Sequence, residues 1–241
     1  MNRFWTQTVA AIVAVVALAA VSPTQAAFIS TLPSWDGLQG VNSFGQPDTA
    51  TYGQTITVGA TETFLADFSF RMATDVGNTS RFEAIVMEWN SAAKIAVGPV
   101  LFNSGLLTNA SPGDTPVYNV VNVTTNVQLA ANKEYVLFFT TSNVFDAFND
   151  FATFGAVNPQ PDAYTGGSFV FNNNGDNFAG LSDLTNPWNV TFPGTDDLAF
   201  TATLQDAPLN PTPAPAGIVL FGLGFASLGL FRSFRRSKVV A

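Results

Sequence analysis

The middle of this chain predicts an all-β fold, a β-sandwich or jelly-roll-like single domain, and three observations predict it. Short segments alternate apolar and polar residues with a period of two, turn-forming stretches rich in Gly, Pro, Asn and Asp separate them, and no convincing run of helices intervenes.

The clearest segment is "ETFLADFSFRM", where Phe64, Ala66, Phe68, Phe70 and Met72 share one parity and Asp67, Ser69 and Arg71 the other. That pattern describes a half-buried strand. "LAFTATL" repeats it, with Leu198, Phe200, Ala202 and Leu204 alternating against Ala199, Thr201 and Thr203. "EYVLFFTTS" at 134–142 and "QTITV" at 54–58 are apolar or β-branched runs bounded by turn formers, as expected of strands buried on both faces. "NASPGD", "NPQPDAYTGG" and "NNNGDN" carry turn chemistry. "RFEAIVMEWNSAAKIA" is ambiguous, because Phe82, Ile85, Val86 and Trp89 also fit helical spacing. Residues 27–207 form one domain, long enough to bury a sizeable core.

Composition narrows the function. The 241 residues include no Cys and no His, which excludes disulfide scaffolds, thiol chemistry, histidine-ligated metals and Ser-His-Asp machinery. No side chain with an ordinary pKa near neutrality is left for acid/base work. We therefore expect no enzymatic activity. All 17 acidic residues lie between Asp36 and Asp206, where only Arg71, Arg81, Lys94 and Lys133 are basic, a net −13. Such a surface repels phosphate backbones, so nucleic acid is not an expected partner.

The two ends describe an exported topology. At residues 1–26, Arg3 precedes an apolar core from Val9 to Val21, then Pro23 and the small residues Ala26 and Ala27, which is the layout of a secretory signal peptide. Residues 208–215 are a proline-rich linker, extended and semi-rigid. The apolar run 216–231 holds 16 residues. As a helix it is about 24 Å long against a hydrocarbon core of about 30 Å, a marginal transmembrane span. The tail 232–241 carries Arg232, Arg235, Arg236 and Lys238, which the positive-inside rule keeps cytoplasmic while the preceding domain faces outward. A permanent membrane anchor and a removable sorting label both fit this tail.

Proline motif, modest Leu/Gly-rich helix and arginine cluster together resemble the PEP-CTERM sorting signal of exported bacterial proteins. Pro213, Ala214 and Pro215 stand where the family most often shows Pro-Glu-Pro, and "GLGFASLGLFRSFRR" matches the helix and basic end. The resemblance implies recognition by an exosortase after export, cleavage near the proline motif, and passage from an inner-membrane precursor to the cell surface or extracellular matrix of a Gram-negative bacterium. The middle segment "FEAIVMEWNSAAKIAVGPVLFNSG" followed by "LAANKEYVLFFTTSN" resembles the central domain of such proteins, where comparable segments are strands; this favours a strand over a helix at 81–90. The two targeting segments, the absence of His and Cys and the all-β middle together lead us to expect a structural or adhesive role, within exopolysaccharide or biofilm.

Candidate sites are few. "NNNGDN" places Asn172, Asn174 and Asp176 at alternate positions around Gly175, a set of oxygen ligands suited to calcium but lacking the length and closing Glu of an EF-hand loop. Ordinary turn chemistry explains the same residues. Trp35 and Trp188 lie in Gly/Pro-rich surroundings and offer flat faces for sugar rings, the alternative being a carbohydrate-binding module; Trp89, at a strand end, reads as core. Glu83 and Glu88 are five residues apart and so point to opposite faces of a strand, which argues against them as a glycosidase pair.

Overall fold

The computed structural model describes residues 26–206 except 47, 112–116, 145–150, 158–160 and 191. The signal peptide, the sorting motif Pro213, Ala214 and Pro215, the apolar run and the basic tail at Arg232, Arg235, Arg236 and Lys238 lie outside the described residues. Among the described residues no helix is long and apolar enough to cross a membrane.

The described chain is all-β, with twelve strands: β1 (Ala27–Ser30), β2 (Gly40–Phe44), β3 (Thr51–Thr57), β4 (Phe64–Thr74), β5 (Thr79–Asn90), β6 (Ile95–Ala110), β7 (Asn119–Gln128), β8 (Glu134–Thr140), β9 (Ala152–Val157), β10 (Phe169–Asn172), β11 (Asp197–Leu198) and β12 (Phe200–Gln205). They form two antiparallel sheets, consistent with a sandwich. The first is ordered β1-β12-β4-β9-β11, with β2 on β9 and β7 on β4; the second is ordered β10-β3-β8-β5-β6. The ambiguous 81–90 segment is strand, because β5 pairs with β8 on one side and β6 on the other.

The main core fills the space between the sheets with Phe44, Tyr52, Phe68, Phe70, Phe82, Phe139, Phe154 and Phe200 among others. Aromatic pairs tie it together, including Phe82 stacked on Phe139 at 4.6 Å and Phe70 edge-on to Phe139 at 5.0 Å. In β12 the parity read from sequence holds: Phe200, Ala202 and Leu204 all enter this core. In β4 it holds only in part. Leu65, Phe68, Phe70 and Met72 reach the core, whereas Phe64 and Ala66 do not. The reason is a bulge: Thr203 pairs with Asp67 but Leu204 with Leu65, so Ala66 is an extra residue that flips the facing of everything before it.

A second core lies on the outer face of the second sheet. Ile85, Met87, Val136, Phe138 and Val170 point away from the sandwich and are covered by Leu181 and Trp188 of the 173–190 segment. This explains why β8 is buried on both faces: Tyr135, Leu137 and Phe139 serve one core while Val136 and Phe138 serve the other. The two outer faces are thus unequal, one covered by a segment of chain and the other open and mainly polar, with Phe28 and Val120 exposed on it.

Candidate functional site

Trp35 sits on the outer face of the first sheet. A short 3-10 turn at Leu32–Ser34 delivers it there, and the Asp36 carboxylate accepts from the Leu38 and Gln39 amides at 2.8 and 2.7 Å, fixing the next turn. Those two amide bonds hold the Asp36 carboxyl below its usual range. The Trp35 indole N–H donates to the Gln39 carbonyl at 2.8 Å, and Tyr118 meets the ring edge-on at 5.0 Å. Gly155 is required beneath it: a Cβ there comes within 2.9 Å of Trp35 Cζ2 and 3.1 Å of Arg71 Cβ. Trp35 and Arg71 are therefore neighbours on an open sheet face.

Rows of polar side chains run across that face from strand to strand. Thr203, Asp67 and Thr124 stand in register, as do Ser30, Thr201, Ser69 and Asn122. Thr203 Oγ1 donates to Asp67 Oδ1 at 3.1 Å, and the Ser69 and Thr201 hydroxyls share a hydrogen bond at 2.7 Å. Asn122 and Thr124 are exposed. The outward polar residues of β4 and β12 are legible in sequence, but their alignment into rows with β7 depends on register.

Trp188 is a correction. It is 1% exposed, with its N–H donated to the Leu181 carbonyl at 2.8 Å and its ring edge-on to Trp89 and Phe138 at 5.5 and 5.4 Å. No face is left for a sugar. It fastens the 173–190 segment over the second core, and Trp89 is buried beside it, as its place at a strand end suggested.

The three residues of the calcium reading, Asn172, Asn174 and Asp176, meet different surroundings. Asn172 and Asn174 are buried, while Asp176 is exposed. Asn172 Oδ1 accepts from Asn186 Nδ2 at 3.2 Å, and Asn174 Oδ1 from Thr51 Oγ1 at 2.9 Å. Asn174 Nδ2 donates to Ser142 Oγ at 2.6 Å, and Thr140 Oγ1 bonds both Ser142 Oγ and Thr51 Oγ1, at 2.9 and 2.7 Å. Thr51 spends its single proton on Asn174, so Thr140 must donate to Thr51 and Ser142 to Thr140. The result is a closed ring of four buried side chains, each donating once and accepting once around it. Its oxygens are committed to protein donors, and no cluster of three carboxylates that could hold a metal occurs among the described residues.

Carboxylates elsewhere are also engaged. Glu88 pairs with Lys133 at 2.7 Å, which raises the Lys133 pKa, on the rim of a shallow polar groove of about 330 Å³ and its 560 Å³ continuation at the ends of β3, β5 and β8. Glu83 accepts from Asn143 Nδ2 at 2.6 Å and from Asn103 Nδ2 at 3.1 Å. Asp197 is 1% exposed and accepts from Gln54 Nε2 at 2.8 Å and the Tyr164 amide at 3.0 Å. Burial, reinforced by the neighbouring Asp162 carboxylate, pushes its carboxyl up to about 7.

The fold and these sites define an all-β, two-sheet protein with one covered and one open face. Compared with known families, curated proteins and solved structures, the chain matches none of them.

Proposed function

We propose that this chain is an exported protein, sorted through its PEP-CTERM-like tail to the cell surface or extracellular matrix, where it plays a structural or adhesive role and performs no catalysis. The observation that carries the reading is the pairing of two address segments, residues 1–26 and 208–241, on either side of one all-β domain. The four basic residues after the apolar run and the signal peptide before the domain require the same orientation in the membrane. The partners this implies are the export machinery, an exosortase, the inner membrane before processing, and extracellular polysaccharide.

The test is a processing assay. Replacing Pro213 and Pro215 with Ala together with Arg235 and Arg236 with Ala is expected to leave full-length precursor in the inner membrane. Mass spectrometry of the wild-type protein recovered outside the cell is expected to find a new C-terminus near Ala214. Release of the variant at the wild-type level sinks the sorting proposal.

A carbohydrate-binding module is the second reading, and the open face beside Trp35 favours it. Trp188, Asn172 and Asn174 drop out of that reading, since their ring faces and side-chain amides are used inside the fold.

A further inference from the structure

The two outer faces of the sandwich are finished in different ways. Over the second sheet, Leu181 and Trp188 cover a cluster of apolar side chains. On the first sheet the outward residues in strand-to-strand register are hydroxyls, an amide, a carboxylate and a guanidinium, with the exposed Phe28 and Val120 beside Thr203 and Arg71, and Thr201, Thr203, Asn122 and Thr124 retain solvent exposure. Sheet geometry spaces neighbours in a row about 4.8 Å apart and successive rows about 6.8 Å.

Beside these rows lies a group with unused capacity. The Arg71 guanidinium has no hydrogen-bond or ion-pair partner among the described residues, although Arg71 is partly buried and its Cβ lies against the Gly155 position that also seats Trp35. Arg71 pairs in register with Val120, and its amide donates to the Ala199 carbonyl at 3.0 Å, so strand pairing fixes the base of its side chain. Trp35 is likewise held before any ligand arrives, by its bond to Gln39 and the edge-on contact with Tyr118. Little ordering is then left for binding to supply.

We propose that this face, centred on Trp35 and Arg71 and continuing over Thr201, Asn122 and Asp67, binds an extended neutral polysaccharide. The proposal rests on the adhesive reading above and names its contact surface. An aromatic ring packs against the C–H face of a pyranose, a guanidinium offers several donors in a fixed fork, and Asp67 with the Thr and Asn rows supplies acceptors and further donors to hydroxyls. The flatness of a sheet face suits a chain of sugars rather than a compact ligand, which would take a concave site. Charge selects the neutral class: the Arg71 guanidinium stands in a domain with four bases against 17 acids, which repels acidic polymers.

The experiment uses the protein recovered from the extracellular fraction, applied to an array of glucan, mannan and galactan oligosaccharides with alginate and pectate as acidic counterparts. Binding to at least one neutral glycan is expected. It is expected to fall about tenfold or more in Trp35→Ala and in Arg71→Gln, and to stay unchanged in Lys94→Ala, which alters the groove beyond the second sheet. Arg71→Gln and Asn122→Ala change only outward side chains, so they remain informative if Trp35→Ala fails to fold. Absence of binding to every neutral glycan, binding confined to alginate and pectate, or full binding by Arg71→Gln and Asn122→Ala overturns the proposal. Protein that reaches the medium and binds nothing sinks this surface and leaves the sorting reading standing; protein retained in the membrane that binds a neutral glycan does the reverse.

Discussion

Gln54 Nε2 donates to Asp197 Oδ1 at 2.8 Å, and Gln54 Oε1 accepts from the Leu198 amide at 2.9 Å, so one buried amide joins β3 of the second sheet to β11 of the first. The carboxyl it holds is buried beside Asp162, and both environments favour the protonated form.

That relationship makes stability pH-dependent with a definite sign. The Asp197 carboxyl titrates near 7 in the folded protein against an ordinary 3.8. Between those values the folded chain keeps a proton that the unfolded chain has lost, so stability falls as pH rises through the window. From this group alone the loss is up to about 1.4 kcal/mol per pH unit, and it is complete above about pH 7. Asp197→Asn, which presents an N–H toward Asp162 at every pH, is expected to be more stable than wild type at pH 8 and similar to it at pH 4. Denaturant titrations at both pH values decide this; parallel pH profiles for the two proteins contradict it.

Trp188 holds the 173–190 segment against the second core. Trp188→Ala removes its contacts with Trp89 and Phe138 as well as the hydrogen bond to Leu181, and is expected to destabilise the fold by about 3–5 kcal/mol. Hydrogen exchange is expected to show the loss first in residues 173–190, because Trp188 is the largest side chain of that segment in the second core. Wild-type protection there in the variant counts against the fastening role.

How much of this was legible in sequence varied with how local the cause was. β12 could be read from its period of two because its ladder keeps one facing through Phe200, Ala202 and Leu204. β4 could be read only from Phe68 onward, since the extra residue Ala66 reverses the facing of Phe64 and Leu65 and nothing in their identity signals it. The second core was illegible: Leu181 and Trp188 are isolated apolar residues in turn-rich sequence, and only the sheet beneath gives them a partner. Trp188 and Trp35 offer the same cue, an indole among turn formers. Their fates differ because one indole closes over apolar side chains and the other lies over Gly155 on a polar face.

The ring of Thr51, Thr140, Ser142 and Asn174 predicts the behaviour of the 172–177 loop. Asn174→Ala removes two donated bonds, to Ser142 and the Asn177 carbonyl, and one acceptor, and leaves Thr51 and Ser142 each short of a partner in a buried site, at a cost of about 1–3 kcal/mol. Asn174→Asp removes the donor to Ser142 and buries a charge, and is expected to lose at least as much at pH 8. Because the ring's oxygens are already engaged, adding calcium or a chelator is expected to leave the thermal midpoint of wild type unchanged. A calcium-dependent rise in that midpoint, abolished by Asn174→Ala, restores the metal site.

The turn at 165–168 carries the last prediction. Ser168 and Thr55 are joined three times, by the Thr55 amide to the Ser168 carbonyl at 2.9 Å, the Ser168 amide to Thr55 Oγ1 at 2.8 Å, and Thr55 Oγ1 back to the Ser168 carbonyl at 3.2 Å. Gly167 precedes this clasp, and a Cβ on it overlaps the Thr55 carbonyl oxygen, a backbone atom held by the β3 ladder that cannot swing aside. Gly167→Ala is therefore expected to lower stability by about 1–3 kcal/mol, as overpacking does in a close-packed site. Gly59→Ala is the control: its Cβ meets only Glu62 Oε2 at an ordinary 3.5 Å, so it is expected to stay within about 0.5 kcal/mol of wild type. Denaturant midpoints measured on both variants test the difference, and equal midpoints show that the turn gives way more readily than its three bonds imply.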